Sequence, residues 1–214
     1  MSKASNIYPL ILPFVIGIIL GILAKFTDGR DFLYYFPVFA DMTGRFGIWV
    51  WAAAIISIRS KTALFAAVRS FLFFIGMLSA YYGYTIHFLK FFPKSQIILW
   101  GAIAMATPFC GFLIWHIHKE RHYAKFLSCL PFTIFFTEWY FTAFTVRDWV
   151  FRTTRDELLL GIAYLCFTIS WLTVVPTHKK RLFGLLYGLL LSMILIRLIQ
   201  AEIIVNPYEQ LLNI

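Results

Sequence analysis

Long apolar runs alternate with short polar segments along the whole chain. A run of about 20 apolar residues crosses a hydrocarbon core of roughly 30 Å as a helix, because backbone groups in lipid must bond to one another. The strict alternation typical of a membrane β-barrel is absent. The pattern therefore predicts seven transmembrane helices: Tyr8–Ala24, Arg45–Ile58, Thr62–Leu89, Ser95–Trp115, Ala124–Val146, Leu158–Val175 and Leu182–Val205.

Composition agrees with that pattern. Of 214 residues, 61% are hydrophobic, 20% are aromatic and 14% are charged. A soluble domain of this length cannot hide so much apolar surface in one core. Neither an internal repeat nor a linker divides the chain, so we predict an all-α, polytopic transmembrane helix bundle that forms a single domain over residues 1–214.

The net charge of +9 does not indicate a nucleic-acid partner, because the cations lie in short loops between apolar runs rather than on a soluble basic face. The segments SIRSK, HKERHYAK and THKKR fall on one predicted side. Loops rich in Lys and Arg stay in the cytoplasm. We therefore predict a plasma-membrane protein with a cytoplasmic N-terminus, an external C-terminus and anionic headgroups around the cytoplasmic loops.

The first apolar run resembles a signal peptide, with Lys3 before it and Ala24 at its end. However, Ile22 occupies the position where a cleavage site needs a small residue. We expect an uncleaved first helix.

Two apolar runs carry small residues at every fourth position. These are Gly17 and Gly21 in the first run, and Gly184, Gly188 and Ser192 in the last. Such faces allow membrane helices to approach closely. We favour packing within the chain over homodimerisation, because the spacing is common in ordinary bundles.

One carboxylate interrupts the fifth run, FFTEWYFTAFT. Glu138 lies about 21 Å from Ala124 at 1.5 Å per residue, with Thr142 and Thr145 on the same helix face. A charge near the middle of the membrane costs about 2.5–3.5 kcal/mol, so it needs a partner. Arg197 stands at a matching depth in the last run, and we predict that the two meet or line one cavity.

Two interpretations of this pair stay open. Glu138 and Arg197 either form a fixed ion pair between two helices, or they bind a ligand or carry a proton. A carboxyl that is dry and unpaired would be protonated, which suits proton coupling.

The second run is short. Only about 20 Å of helix fits between Arg45 and Arg59, where about 30 Å is needed. Asp41 and Arg45 are four residues apart and could pair on one helix face. A shortened, glycine-interrupted segment indicates a binding site in transporters, but we favour an ordinary helix that begins at the interface under an ordered loop.

Tyrosines gather at the end of the third run, which reads AYYGYTIHF. Interfacial aromatic belts explain such residues without a ligand. An aromatic pocket with a few polar anchors is also how small-molecule sites look. The candidate ligand-binding or proton-coupling residues in the outer half are Glu138, Arg197, Asp41, Arg45, Tyr81, Tyr82 and Tyr84.

No catalytic, metal or cofactor site is predicted. His118 and His122 have zinc-like spacing, but Lys119 stands where a metalloprotease needs Glu. A haem would need paired axial ligands within the spans, and His87 and His116 lie at opposite helix ends. Cys110, Cys129 and Cys166 fall inside apolar runs without a paired framework, so we expect them to be apolar fillers.

The run Arg45–Tyr84, with a Trp-rich short helix, a basic turn and a helix that ends in a Tyr pair, resembles a family of small bacterial multi-pass proteins of uncharacterised function. The resemblance implies a bacterial plasma membrane and no chemistry. In size, the chain is also similar to the substrate-binding subunits of vitamin-type energy-coupling transporters, which differ in having six spans with both ends in the cytoplasm.

Two functions follow from these observations. The first is a protein that binds or transports a small solute through a pocket in the outer half of the bundle. The second is a non-catalytic accessory, immunity or assembly subunit that contacts another membrane protein. An enzyme is a distant third, since neither a nucleophile elbow nor a P-loop is present.

Overall fold

The computed structural model describes residues 8–27, 38, 42–120, 122–144 and 154–201, and within these ranges the regular structure is entirely helical. The helices are α1 (Tyr8–Thr27), α2 (Phe46–Ile58), α3 (Ala63–Phe88), α4 (Lys94–Trp115), α5 (His122–Leu127), α6 (Cys129–Phe144), α7 (Thr154–Val174) and α8 (His178–Gln200). A 3₁₀ turn at His116–His118 follows α4. Every predicted run contains a helix, so the all-helical class is confirmed.

Several helix boundaries differ from the predicted ones. The fifth run forms two helices, α5 and α6, which are interrupted at Ser128. The sixth begins at Thr154 and the seventh at His178, each four residues before the predicted start. Charged residues in these first turns still have helical backbone, because a helix can extend past the apolar core of its span. Hydropathy marks that core rather than the helix end.

Four helices in the described part of the chain are long and apolar enough to cross a membrane: Leu10–Thr27, Ala63–Phe88, Lys94–His118 and His178–Gln200. Two shorter apolar helices, Phe46–Ile58 and Leu158–Val174, accompany them. Large apolar side chains such as Leu64, Met105 and Phe109 are 71%, 70% and 67% exposed. Apolar surface of this kind suits contact with lipid or another protein rather than water. The number of crossings, their orientation and the single-domain organisation stay predictions.

The chain divides into two compact units, Met1–Lys119 and Glu120–Ile214. In unit 1, α1 and α3 run parallel, since Gly17 contacts Phe73 and Gly21 contacts Met77. Lys25 continues the same register against Tyr81. A parallel pair requires the chain to return between the two helices, and α2 lies in that stretch.

Helix α2 is the short segment that the sequence predicted. It has 13 residues, which corresponds to about 20 Å, and none of them is exposed. Trp49 of α2 joins a buried cluster with Ala24, Phe73, Phe74, Met77 and Ala104. After a three-residue bend, the Thr62 hydroxyl accepts a hydrogen bond from Phe65 N at 3.2 Å and so starts α3.

Unit 2 has the same kind of arrangement. Helices α6 and α8 run parallel: Gly184 packs on Ser128, Gly188 packs on Phe132, and Gln200 Nε2 donates to the Tyr140 hydroxyl at 3.1 Å. Helix α7 runs antiparallel to α6, because Trp171 bonds back to Ser128 O. Both small-residue faces are therefore used within the chain, as predicted.

Candidate functional site

Glu138 occupies the buried face of α6. Every third residue on this face is buried: Phe132, Phe135, Glu138 and Phe141. Glu138 is 3% exposed, and none of the three rings is more than 3% exposed. The surroundings of this carboxyl are therefore aromatic. Burying such a group stabilises the fold only when a hydrogen-bond partner meets it.

Tyr164 of α7 is such a partner. Its hydroxyl donates a hydrogen bond of 2.8 Å to Glu138 Oε2, and both side chains are buried. Phe167, one turn along α7, packs edge-on against the Tyr164 ring with centroids 5.8 Å apart. It also contacts Phe135 at 6.1 Å. The Glu138–Tyr164 bond thus joins α6 to α7 inside a ring of aromatic side chains.

The predicted Glu138–Arg197 contact is wrong, because Arg197 is exposed on α8. The two residues nevertheless lie at nearby levels of the parallel helices, because Tyr140 on α6 bonds to Gln200 on α8. However, Ile196 and Ile199 point towards Phe141, so the intervening Arg197 is turned away. A helix rotates by 100° per residue, and one position decides the face.

A second polar group lies beside Glu138. The Thr137 hydroxyl is buried, the residue is 6% exposed, and its Oγ1 has no hydrogen-bond partner among the described residues. Thr133, one turn earlier, bonds to Cys129 O at 3.0 Å in the usual way. A buried hydroxyl without a protein partner needs an explanation, such as a water molecule or a ligand.

The other described candidates belong to unit 1, at the end where α1 and α3 finish. The Lys25 ammonium lies 4.7 Å from the Tyr81 ring centroid, and Tyr81 meets Tyr82 edge-on at 5.1 Å. Tyr84 packs on Phe88 at 4.8 Å. Arg45, 5% exposed, precedes α2.

Two threonines hold that end of unit 1 together. The Thr27 and Thr43 hydroxyls are 2.8 Å apart, and Trp49 Nε1 donates to Thr43 O at 3.0 Å. Because Thr27 ends α1 and Thr43 precedes Arg45, the arginine and the tyrosines share this end. Asp41 lies outside the described residues, so its pairing with Arg45 stays a prediction. The same holds for one outer pocket that collects all seven candidates.

His118, one of the two histidines of the zinc-like spacing, contacts a backbone carbonyl group. His118 Nε2 is 2.6 Å from Ile58 O and Trp115 Nε1 donates to Ser60 O at 2.9 Å, so both side chains satisfy carbonyl groups at the end of α2. Among the described residues no group of three potential metal ligands occurs. Of the cysteines, Cys129 is buried as expected, whereas Cys110 and Cys166 are exposed on their helices.

Sequence reasoning missed Tyr164 and Thr137. Tyr164 lies in the middle of a predicted span, where a tyrosine is far from the interface that its hydroxyl prefers. Counting about 16 Å back from Val175 at 1.5 Å per residue brings it near the depth of Glu138. That match, to within about 5 Å, was available from the sequence, although it is less close than the one that suggested Arg197.

No family model matches the chain, and no curated protein or solved structure matches it.

Proposed function

We propose that this chain is a multi-pass plasma-membrane protein that binds or transports a small solute, with Glu138 as its polar anchor or proton-carrying group. The observation that carries the proposal is the Glu138–Tyr164 hydrogen bond, in which an acidic side chain 3% exposed meets a phenol among aromatic rings. Ionisable residues inside membrane helices are expensive, and they are mostly kept for ion, proton or substrate handling.

The chemistry of the pair supports proton exchange. Tyr164 donates to Oε2, and a phenol can donate to a carboxylate or to the carbonyl oxygen of a protonated carboxyl. The hydrogen bond therefore survives when a proton binds the other oxygen.

The unsatisfied hydroxyl of Thr137 supports a binding site for a small polar molecule. Its buried Oγ1 belongs to the residue next to Glu138 and has no described partner. A solute hydroxyl, carbonyl or water at that atom would remove a cost of about 1–3 kcal/mol for an unsatisfied buried group.

Infrared difference spectroscopy of the purified protein in lipid nanodiscs tests the proton role. A pH titration of the wild type should show the carbonyl band of a protonated carboxyl, and Glu138→Gln should abolish it while the amide bands stay unchanged. Glu120→Gln, at an exposed carboxylate, serves as the control. A wild-type band that persists in Glu138→Gln rules out Glu138 as the proton carrier.

Solute binding needs a separate experiment. Mass spectrometry of molecules that co-purify from native membranes should detect a small solute that the wild type retains and Glu138→Gln or Thr137→Val loses. Equal retention by all three proteins would place the solute elsewhere, whatever the infrared result.

A second function is favoured by Arg197. Its side chain is exposed in the last turn of α8, where a carboxylate of another membrane protein could meet it. In the accessory-subunit proposal, the Glu138–Tyr164 bond only fastens α6 to α7. Arg197→Gln would then lose a co-purifying protein, whereas Glu138→Gln would keep it.

A further inference from the structure

A basic pocket lies at the end of unit 2 where α7 and α8 meet. It is half open, has a volume of about 360 Å³, and brings three lysines to one concave surface. Its lining residues are Glu120, His122, Lys125, Thr177, Lys179 and Lys180. Lys180 is 5% exposed, so one of these charges is held inside the protein rather than in solvent.

Three hydrogen bonds organise the backbone around the pocket. The Ser128 hydroxyl lies 2.6 Å from Lys125 O and 3.0 Å from Lys180 O, so it ties the two lysine-bearing segments together. Arg181 Nε donates to Val175 O at 2.8 Å and thereby closes the turn that carries Thr177 and Lys179. The backbone segments that carry the lysines are therefore fixed before any ligand arrives, which lowers the ordering cost of binding.

An exposed aromatic surface continues from the pocket. Phe126 follows Lys125, and its ring contacts Phe183 with centroids 5.1 Å apart. Phe183 in turn stacks on Tyr187 at 4.0 Å. Phe126 and Tyr187 are 58% and 43% exposed. A cationic pocket that opens beside an apolar aromatic face matches the two ends of one amphipathic molecule.

We propose that this pocket binds the phosphate headgroup of an anionic phospholipid, with an acyl chain lying along Phe126, Phe183 and Tyr187. Basic pockets between membrane helices on the cytoplasmic side accept such headgroups, and the basic clusters at this end predict that side. The negative charge of Glu120, which also lines the pocket, repels the phosphate. Its carboxylate interacts electrostatically with Lys180 and keeps the pocket from accumulating a higher positive charge when empty.

Native mass spectrometry of the full chain in neutral detergent tests the proposal. The probes are a short-chain phosphatidic acid, phosphatidylcholine of the same chain length, and inorganic phosphate. We expect the anionic lipid to bind more tightly than the zwitterionic one. Lys125→Gln and Lys179→Gln should each weaken it about fivefold, and about thirtyfold together.

Two further variants test the sign of the electrostatic effect and its dependence on the pocket. Glu120→Gln should tighten binding, since it removes the opposing charge from the pocket. Lys61→Gln removes a charge of the same sign from an exposed position in unit 1 and should change nothing. Circular dichroism checks that each variant is folded, and none of these substitutions alters Lys180 or Ser128.

Three results would overturn the proposal. Unchanged lipid binding by the double lysine variant would show that the lipid does not bind in this pocket. An equal loss of binding with Lys61→Gln would show that the lipid responds only to the general surface charge of the protein. If inorganic phosphate displaces the lipid at equal concentration, the pocket recognises a free phosphate compound and the aromatic face has no part in binding.

Discussion

Units 1 and 2 each bring two parallel helices together along a glycine face, but the contacts at the two interfaces differ. In unit 1, a Cβ placed on Gly17 or Gly21 would collide with backbone carbonyls of Phe73 and Met77. In unit 2, a Cβ on Gly184 would meet the Ser128 Oγ at 2.8 Å and Phe132 Cε2 at 3.0 Å. At the α1–α3 contact the nearest atoms are therefore backbone, whereas at Gly184 two side-chain atoms lie nearer than the closest backbone atom, Ser128 O at 3.1 Å.

The difference has a consequence for polar chemistry. Helices in backbone contact leave no room for a polar side chain between them. The α6–α8 interface of unit 2 contains serine and phenylalanine side chains, and the third helix of that unit brings Tyr164 to Glu138. An ionisable centre is therefore compatible with unit 2, whereas the α1–α3 interface of unit 1 serves packing alone.

The largest expected effect comes from Gly17→Ala. Its Cβ meets a carbonyl of α3 that cannot move without shifting the helix, so we expect a loss of more than about 3 kcal/mol in unfolding free energy. Gly184→Ala meets side chains that can rotate and should cost about 1 kcal/mol. SDS-induced unfolding followed by circular dichroism measures both.

Gly83→Ala is the matched control for these substitutions, because nothing lies within 4 Å of its added Cβ. It should leave the protein unchanged or stabilise it by up to about 1 kcal/mol through helix propensity. If Gly17→Ala and Gly184→Ala cost the same, the contrast between backbone and side-chain interfaces is wrong.

A middle-sized effect is expected for Tyr164→Phe. The ring stays and the hydroxyl goes, so buried Glu138 loses the hydrogen bond from Tyr164 at a cost of about 1–3 kcal/mol. Tyr187→Phe keeps the stack on Phe183 and should cost almost nothing. Similar unfolding midpoints for the two variants would show that the Glu138–Tyr164 bond contributes no stability.

The smallest expected effect is a coupling energy. Ser128→Ala removes the oxygen that crowds Gly184, so the double variant with Gly184→Ala should recover about 0.5–1 kcal/mol relative to the sum of the single effects. In unit 1, Ser70→Ala should rescue Gly111→Ala less well, because Ala66 O remains 2.9 Å from the new Cβ, nearer than the Ser128 O that remains 3.1 Å from the new Cβ at position 184. Equal couplings in both pairs would contradict this account.

Much of the fold could be predicted from the sequence, because long apolar runs and fourth-position glycines report local periodicity. The positions of Gly17, Gly21, Gly184 and Gly188 identified the packing faces. Helix ends were less accurate, as the early start of α8 at His178 shows. Hydropathy measures the side chains of a segment and not its backbone hydrogen bonds.

The candidate site was predicted in part. Burial of Glu138 follows from the cost of a charge in lipid, but its partner depends on which face each neighbouring helix presents. The fourth-position spacing of Gly184, Gly188 and Ser192 continues to Ile196, which places Ile196 on the helix face that packs on α6. Arg197, the next residue, therefore lies on a different face, although its depth matches that of Glu138. The depth of Tyr164 could be counted from the sequence, but the face of α7 that meets α6 is encoded by no local pattern.

The close contact between α1 and α3 also orders events during synthesis. Phe73 leaves the ribosome roughly fifty residues after Gly17, a delay of several seconds at about 5–20 residues per second. For that interval the glycine face of α1 has no native neighbour and can associate with any helix at hand, including α1 of another nascent chain. Slowing translation between Thr27 and Ala63 should therefore increase misassembled oligomers.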